Sequence, residues 1–350
     1  MTTIMDVARK AGVSKSTVSK AVNGKGRISE ATKRIIFKAI EELNYRPNII
    51  AQTLTRPLSD TLGLIIPGGY TSSEYIIRII DLSRELAEKQ GKSLIITYID
   101  GFSISSAIKA ITYLVDMRCD GILLYKTSHI EPSSAVSDLI ALIEQIKPPV
   151  IVLNYKLPGL ARNCVLLDNF SSSQLVLDHL IERGHRRIAY ISGTLGSQTS
   201  ISRREGYFSA LRKNGIAIDD SIIFSGNASY ESGYNAAMQL FQDGLKITAI
   251  VCYNDRTAIG VLNALNNMKI DVPERISLVG FDNEDITNFL SPGVSSVLMP
   301  VDEMVKQAFG LLSQHFTGVL EPLRQQTLCG QLIMRNSVCY VPDPTTISDC

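Results

Sequence analysis

Six side chains in one short stretch could do chemistry together. If Ser14 caps a helix running to Asn23, then Lys15, Ser16, Ser19, Lys20 and Asn23 fall at helical spacing on one polar face, which Thr17 joins. Lysine ammonium groups donate to guanine edges, and hydroxyls reach phosphate oxygens. The face carries no acid, so its chemistry suits a polyanion presented in a groove. Val18, Ala21 and Val22 form the opposite, apolar face. Taken alone, the segment reads first as an ordinary solvated amphipathic helix.

The flanking elements decide whether that face is presented. Thr3 and Asp6 have the spacing of an N-cap pair, opening a first helix with Val7, Ala8 and Ala11 inward and Gly12 as its stop. A tight turn then leads to Ser14, and two short helices joined in this way make a helix-turn-helix. Ser29 caps a third helix whose apolar stripe is Ile35, Ile36, Ala39, Ile40 and Leu43, ending at Asn44. Between Pro47 and Pro57, the segment Asn48–Leu54 has the length of a short helix, which is marginal in water without a partner. A flexible linker with helical tendency is the other reading.

Charge divides the chain. Residues 1–58 hold eleven Lys or Arg against four acids, while the whole chain has 35 against 34 and a net charge of +1. A basic head on an acidic body points to a polyanion partner for the head alone. The six cysteines show no CxxC spacing, which argues against a zinc site or a disulfide framework and for free thiols. The N-terminus has no apolar run like a signal peptide, and the apolar stretches are strand-sized, so a cytoplasmic chain without membrane contact is expected.

From Thr61 onward, short apolar strands alternate with amphipathic helices. Ten strands are predicted: 62–66, 94–98, 121–125, 150–153, 164–167, 187–191, 221–224, 249–253, 276–280 and 295–298. Runs such as Leu62–Ile66 are apolar at successive positions, as strands covered on both faces must be. The fold class is therefore an α/β body of two doubly wound parallel-sheet subdomains with a cleft between them, plus a small all-α head. The expected domains are the helix-turn-helix at 1–47, the hinge and linker at 48–58, and the body at 59–350. Within the body, one subdomain is expected at about 59–158 and 291–320, the other at about 159–290 and 321–340.

The residues resemble the lactose-repressor and galactose-repressor (LacI/GalR) family of bacterial transcription regulators. The resemblance is carried by "TIMDVARKAGVSKSTVSKAVNGKGRISEATKRIIFKAIEELNYRPNIIAQTL", then "TLGLIIPG", "HLIERGHRRIAYISG", "SRREGYFSAL", "AIVCYNDRTAIGVLNAL" and "VPERISLVGFDN", in the family's order. It implies a DNA-binding head, a hinge helix, and a body of periplasmic-binding-protein type. It further implies that Lys15, Ser16 and Lys20 read operator bases, and that Thr17, Ser19, Asn23, Ser29 and Thr32 lie near phosphates. Lys20 stands where Arg or His is common, and its ammonium lacks the planar fork of Arg. In the hinge, Asn48, Ala51 and Leu54 match DNA-contacting positions, Leu54 being the minor-groove wedge; the alternative is that Leu54 rests on the body.

For the cleft, the resemblance implies that Arg203, Asp282, Asn254 and Asp255 hold a small effector, a sugar or sugar derivative. An ion pair between subdomains is the competing role for Arg203 and Asp282. The loop after the first strand departs from the family, with Tyr70 and Tyr75 as substitutes for its aromatics. Asn154 and Met299 replace the residues more frequent at those pocket positions. The tail lacks a leucine-rich tetramerisation helix, so a homodimer reading a pseudo-palindromic duplex is expected.

No enzyme motif is present: no GxSxG, GxxxxGK[ST], HExxH or GxGxxG after the first strand, and no cofactor or metal is expected. A solute-binding protein is the nearer rival, because the body alone would serve; a sugar-processing enzyme is the more distant one.

Overall fold

The computed structural model describes residues 2–22, 26–45, 59–68, 73–99, 103–126, 133–160, 163–318 and 326–341. The chain divides into two compact units, Met1–Ser59 and Asp60–Cys350. Asn23, Asn48, Ala51, Leu54 and Tyr70 lie outside the described residues.

The first unit holds α1 (Ile4–Ala11), α2 (Lys15–Val22) and α3 (Glu30–Glu42). Asp6 closes the start of α1 by accepting from the Thr3 backbone N–H at 2.9 Å and its hydroxyl at 2.7 Å. Gly12 ends α1 at φ 66°, a left-handed conformation that glycine adopts without strain. Ser14 accepts from the Thr17 backbone N–H at 3.1 Å and starts α2. Val7, Val18 and Ile36 are fully buried, with Ala8, Ala11, Ala21 and Ala39 around them. The predicted α3 stripe differs at Ile35, which is 53% exposed. Adjacent residues on a helix point about 100° apart, so Ile36 takes the core and Ile35 cannot.

The second unit contains two six-stranded sheets. In chain order, β1 (Thr61–Pro67), β2 (Ser93–Ile99), β3 (Gly121–Tyr125), β4 (Val150–Leu153) and β5 (Cys164–Asp168) precede β6 (Ile188–Ile191), β7 (Ile223–Phe224), β8 (Ala249–Cys252), β9 (Ser277–Phe281), β10 (Ser295–Leu298), β11 (Gln326–Cys329) and β12 (Gln331–Ile333). The first sheet runs β11-β5-β4-β3-β1-β2 and the second β12-β10-β9-β8-β6-β7. All neighbours pair in parallel except β10 with β12. The helices are α4 (Glu74–Lys89), α5 (Ile104–Asp116), α6 (Ser133–Gln145), α7 (Asn169–Glu182), α8 (Gln198–Lys213), α9 (Tyr230–Gln242), α10 (Asp255–Asn267) and α11 (Val301–Thr317). They cover sheet faces whose strands, such as β3, β4 and β8, are buried at every position. Where α9 crosses α10, a Cβ on Gly233 or Gly260 would overlap the facing backbone at 2.0 and 1.9 Å, so this close crossing requires glycine.

The subdomain boundaries differ from those expected. β5 pairs with β4 in the first sheet, β10 pairs with β9 in the second, and β11 returns to the first beside β5. The chain therefore changes subdomain between Asp168 and Asn169, across Met299–Val301, and again at Gly330. The two strands after α11 were not predicted at all. Pairing partner is a long-range property, and apolar runs report only that a strand exists. Among the described residues no helix is long and apolar enough to cross a membrane.

Candidate functional site

In the first unit, Lys15, Ser16 and Lys20 are exposed, Thr17 and Ser19 are half-buried, and Val18 and Ala21 are buried. Among the described residues no carboxylate pairs with Lys15 or Lys20. Lys10 and Lys33, by contrast, meet Glu42 and Glu30 at 2.7 Å. The exposed face of α2 thus keeps its positive charge unneutralised. The Ser14 hydroxyl lies 2.8 Å from those of Ser16 and Thr17, which fixes their rotamers and leaves lone pairs to spare. Ser29 and Thr32 form the cap of α3, the Thr32 backbone N–H donating to Ser29 Oγ at 3.2 Å.

In the second unit, the centre of the cleft is Arg203 on α8, buried at 4% exposure. Its Nε donates to Asn169 Oδ1 at 2.9 Å, one Nη donates to the Tyr253 carbonyl, and the other meets Asp282 Oδ1 at 3.3 Å. The guanidinium lies over the Phe281 ring at 4.2 Å and the Tyr253 ring at 4.9 Å. Burial pushes the Asp282 carboxyl above its ordinary value, and Arg203 draws it back. Asp282 stands at φ 95° and Asn154 at φ 56°, so two strand-end residues of the cleft hold left-handed backbones, the kind of strain found at functional sites.

Two recesses open beside this cluster. The larger, about 680 Å³, is lined by Tyr75, Asp282, Glu284 and Met299 together with Glu74, Arg78 and Asp302. The smaller, about 260 Å³, is lined by Asn154, Lys156, Asp168, Asn169, Gln198 and Ser202. Of the predicted pocket positions, Tyr75, Asp282 and Met299 line the larger recess and Asn154 the smaller, while Arg203 lines neither and meets Asp282 from within the fold. Asn254 and Asp255 are spent inside the fold instead. Asn254 accepts from the Thr257 backbone N–H at 3.0 Å and hydroxyl at 2.7 Å as the cap of α10. Asp255 accepts from the Ser296 hydroxyl at 2.6 Å and the Glu284 backbone N–H at 2.7 Å, pinning the ends of β9 and β10. Burial, and then the neighbouring Asp282, raise the Asp255 carboxyl well above its usual range.

Asn169, Tyr253 and Phe281 are cleft residues that sequence reasoning missed. Each ends or follows an apolar strand, and the rule that ligands sit at the carboxyl ends of strands was the signal that could have found them.

Residues 3–48 match the family model of bacterial regulatory proteins of the lacI family, and residues 177–338 match that of the periplasmic binding protein-like domain. The chain is 36% identical over 340 residues to the HTH-type transcriptional regulator AscG of Escherichia coli, covering 97% of this chain and 98% of that one. A sugar-binding transcriptional regulator of the LacI family from Escherichia coli, solved in complex with phosphate, superposes with a TM-score of 0.73 at 32% identity, over 81% of this chain and 100% of that one. The lac repressor dimer bound to operator and the anti-inducer ONPF shares the fold, with a TM-score of 0.84 at 24% identity over 97% of this chain and 99% of that one.

Proposed function

Because the chain belongs to the lacI family of bacterial regulatory proteins, and is thus a DNA-binding transcriptional regulator and not an enzyme, we propose that it is an effector-controlled repressor acting as a homodimer in the cytoplasm. In this reading Lys15, Ser16 and Lys20 read base edges, Thr17, Ser19, Asn23, Ser29 and Thr32 approach phosphates, and Asn48, Ala51 and Leu54 form the hinge contact. The observation that carries the head's role is the exposed, acid-free α2 face with Lys15 and Lys20 unpaired. The cleft takes a sugar or sugar derivative, with Arg203, Asp282, Asn154, Met299, Tyr75 and Tyr70 in its wall. Polar side chains that line the recesses, among them Asp282, Glu284, Asn154, Asp168 and Gln198, can pair with ligand hydroxyls, which supports a polyol.

A two-fold dimer places two heads on a pseudo-palindromic site, where log affinity falls linearly with log salt. Duplexes selected from a random pool, titrated against salt, test this: a flat dependence overturns the head's role. Effector control is tested by thermal shift against sugars, sugar derivatives and nucleobases, since a ligand of the folded body raises its melting temperature. No shift with any sugar, alongside a shift with a nucleobase, replaces the polyol reading.

A further inference from the structure

Two hydrogen-bonded bridges join the subdomains of the body, one in each recess. In the larger recess, Glu74, the first residue of α4, accepts from the Asp285 backbone N–H at 2.7 Å. In the smaller, Gln198, the first residue of α8, accepts from the Lys156 backbone N–H at 3.2 Å, and its amide lies 3.5 Å from the Lys156 carbonyl. Glu74 and Lys156 belong to the part of the chain that builds the first sheet, Asp285 and Gln198 to the part that builds the second.

Each bridge rests on anchored backbone. One turn beyond Glu74, Arg78 donates through Nε to Asp302 Oδ1 at 2.7 Å and through Nη2 to Oδ2 at 2.5 Å. That fork ties α4 to the first turn of α11, directly after the Met299–Val301 crossover. Opposite it, the Glu284 backbone N–H is held by Asp255 at 2.7 Å, and the Thr287 hydroxyl donates to the Glu284 carbonyl at 2.6 Å. The Asp285 N–H is therefore presented by a turn fastened to the second sheet. A carboxylate accepting from a backbone N–H is a charge-assisted bond, stronger than a neutral one.

We propose that Glu74 and Gln198 are paired latches that hold the two subdomains together across the cleft, acting cooperatively because both span the same crossovers. The two latches then set effector affinity from the linings of the two recesses, since apparent affinity is the intrinsic affinity scaled by the latched fraction. Only this link to the effector rests on the cleft being the effector site. The latch itself stands without it.

Hydrogen exchange on the full-length protein, with no ligand added, reads the two donors directly: the amides of Asp285 and Lys156. Glu74→Ala should speed exchange at Asp285 by about tenfold or more and also speed it at Lys156, on the other bridge. Gln198→Ala should do the reverse, deprotecting Lys156 and then Asp285. Glu74→Gln, whose amide oxygen can accept the same N–H, should keep most of the protection. An Asp285 amide that exchanges equally in the wild type and Glu74→Ala overturns the proposal. So does a pattern in which each variant deprotects only its own partner, because that describes two separate surface contacts. Failure of the cleft reading would leave these exchange results unchanged and would show instead as an absence of ligand-induced thermal shifts.

Discussion

In the head, the polar residues of the α2 face lie within six positions of one another, from Lys15 to Lys20. In the body, the groups that meet at Arg203 come from Asn169, Tyr253 and Asp282, each following a different strand of the chain. One surface is written by helical period and the other by topology. The consequence is physical. The head's polar face stands on a small core and can be altered without disturbing it, whereas the body's polar cluster is itself buried and holds several strand ends in place.

The sharpest separation of the two regions comes from Arg203→Ala. Removing the guanidinium leaves the Asp282 carboxyl buried without its cation and the Asn169 and Tyr253 oxygens without a donor, so a loss of about 3–5 kcal/mol is expected. Urea unfolding followed by far-UV circular dichroism measures it. Adding Asp282→Asn should restore part of the loss, because the two sites are directly coupled. If Arg203→Ala costs no more than a surface substitution, the cluster does not hold these strand ends in place.

The matching test in the head is Ile36→Ala. Ile36 is fully buried and is one of the seven buried residues of the small core, so a loss of about 2–5 kcal/mol is expected there. Hydrogen exchange should show the loss confined to α1, α2 and α3, with amides of the body unaffected. Loss of protection in the body as well would show that the two units fold as one.

The head was legible because everything that defines it is local: the Thr3–Asp6 cap, the Gly12 stop, the Ser14 start and the spacing from Val18 to Ala21. The body's predicted strands were legible as apolar runs. Their assignment to sheets was not, since β5, β10 and β11 are sorted by partners far away in sequence. The cleft was half-legible. The resemblance named Arg203 and Asp282, which the fold brings within 3.3 Å of each other, but Asn254 and Asp255 follow a strand and open a helix, and there a cap or buried peg competes with a ligand contact. Thr257, three residues after Asn254, was the local sign that the cap wins.

Titration should divide the two regions by sign. Hydrogen bonds from Thr3 hold the exposed Asp6 carboxyl of the head below its ordinary value. In the body, burial and then the Asp282 charge push the Glu284 carboxyl up to about 7. An acid whose folded value is raised keeps a proton that the unfolded chain releases. Its contribution is therefore full below the ordinary value of 4.5 and lost as pH rises through about 7. Asp6 behaves oppositely, with its contribution lost on acidification. Melting temperatures of the wild type and Glu284→Gln, compared from pH 4.5 to 8, should diverge in favour of the variant as pH rises. Parallel curves would mean that Glu284 ionises normally.

The smallest effect on stability is expected from Lys20→Ala, and it isolates what the head does for function. Lys20 is exposed and carries no ion pair among the described residues, so unfolding should shift by less than about 0.5 kcal/mol. If its ammonium meets a phosphate, binding weakens on every duplex and the slope of log affinity against log salt falls by about one. If it meets a base edge, affinity drops by about 1–3 kcal/mol on the selected duplex, while binding to random DNA barely changes. A comparison of the two duplexes at two salt concentrations therefore assigns Lys20 to phosphate or base. No change on either would remove Lys20 from the interface and leave Lys15 and Ser16 as its reading residues.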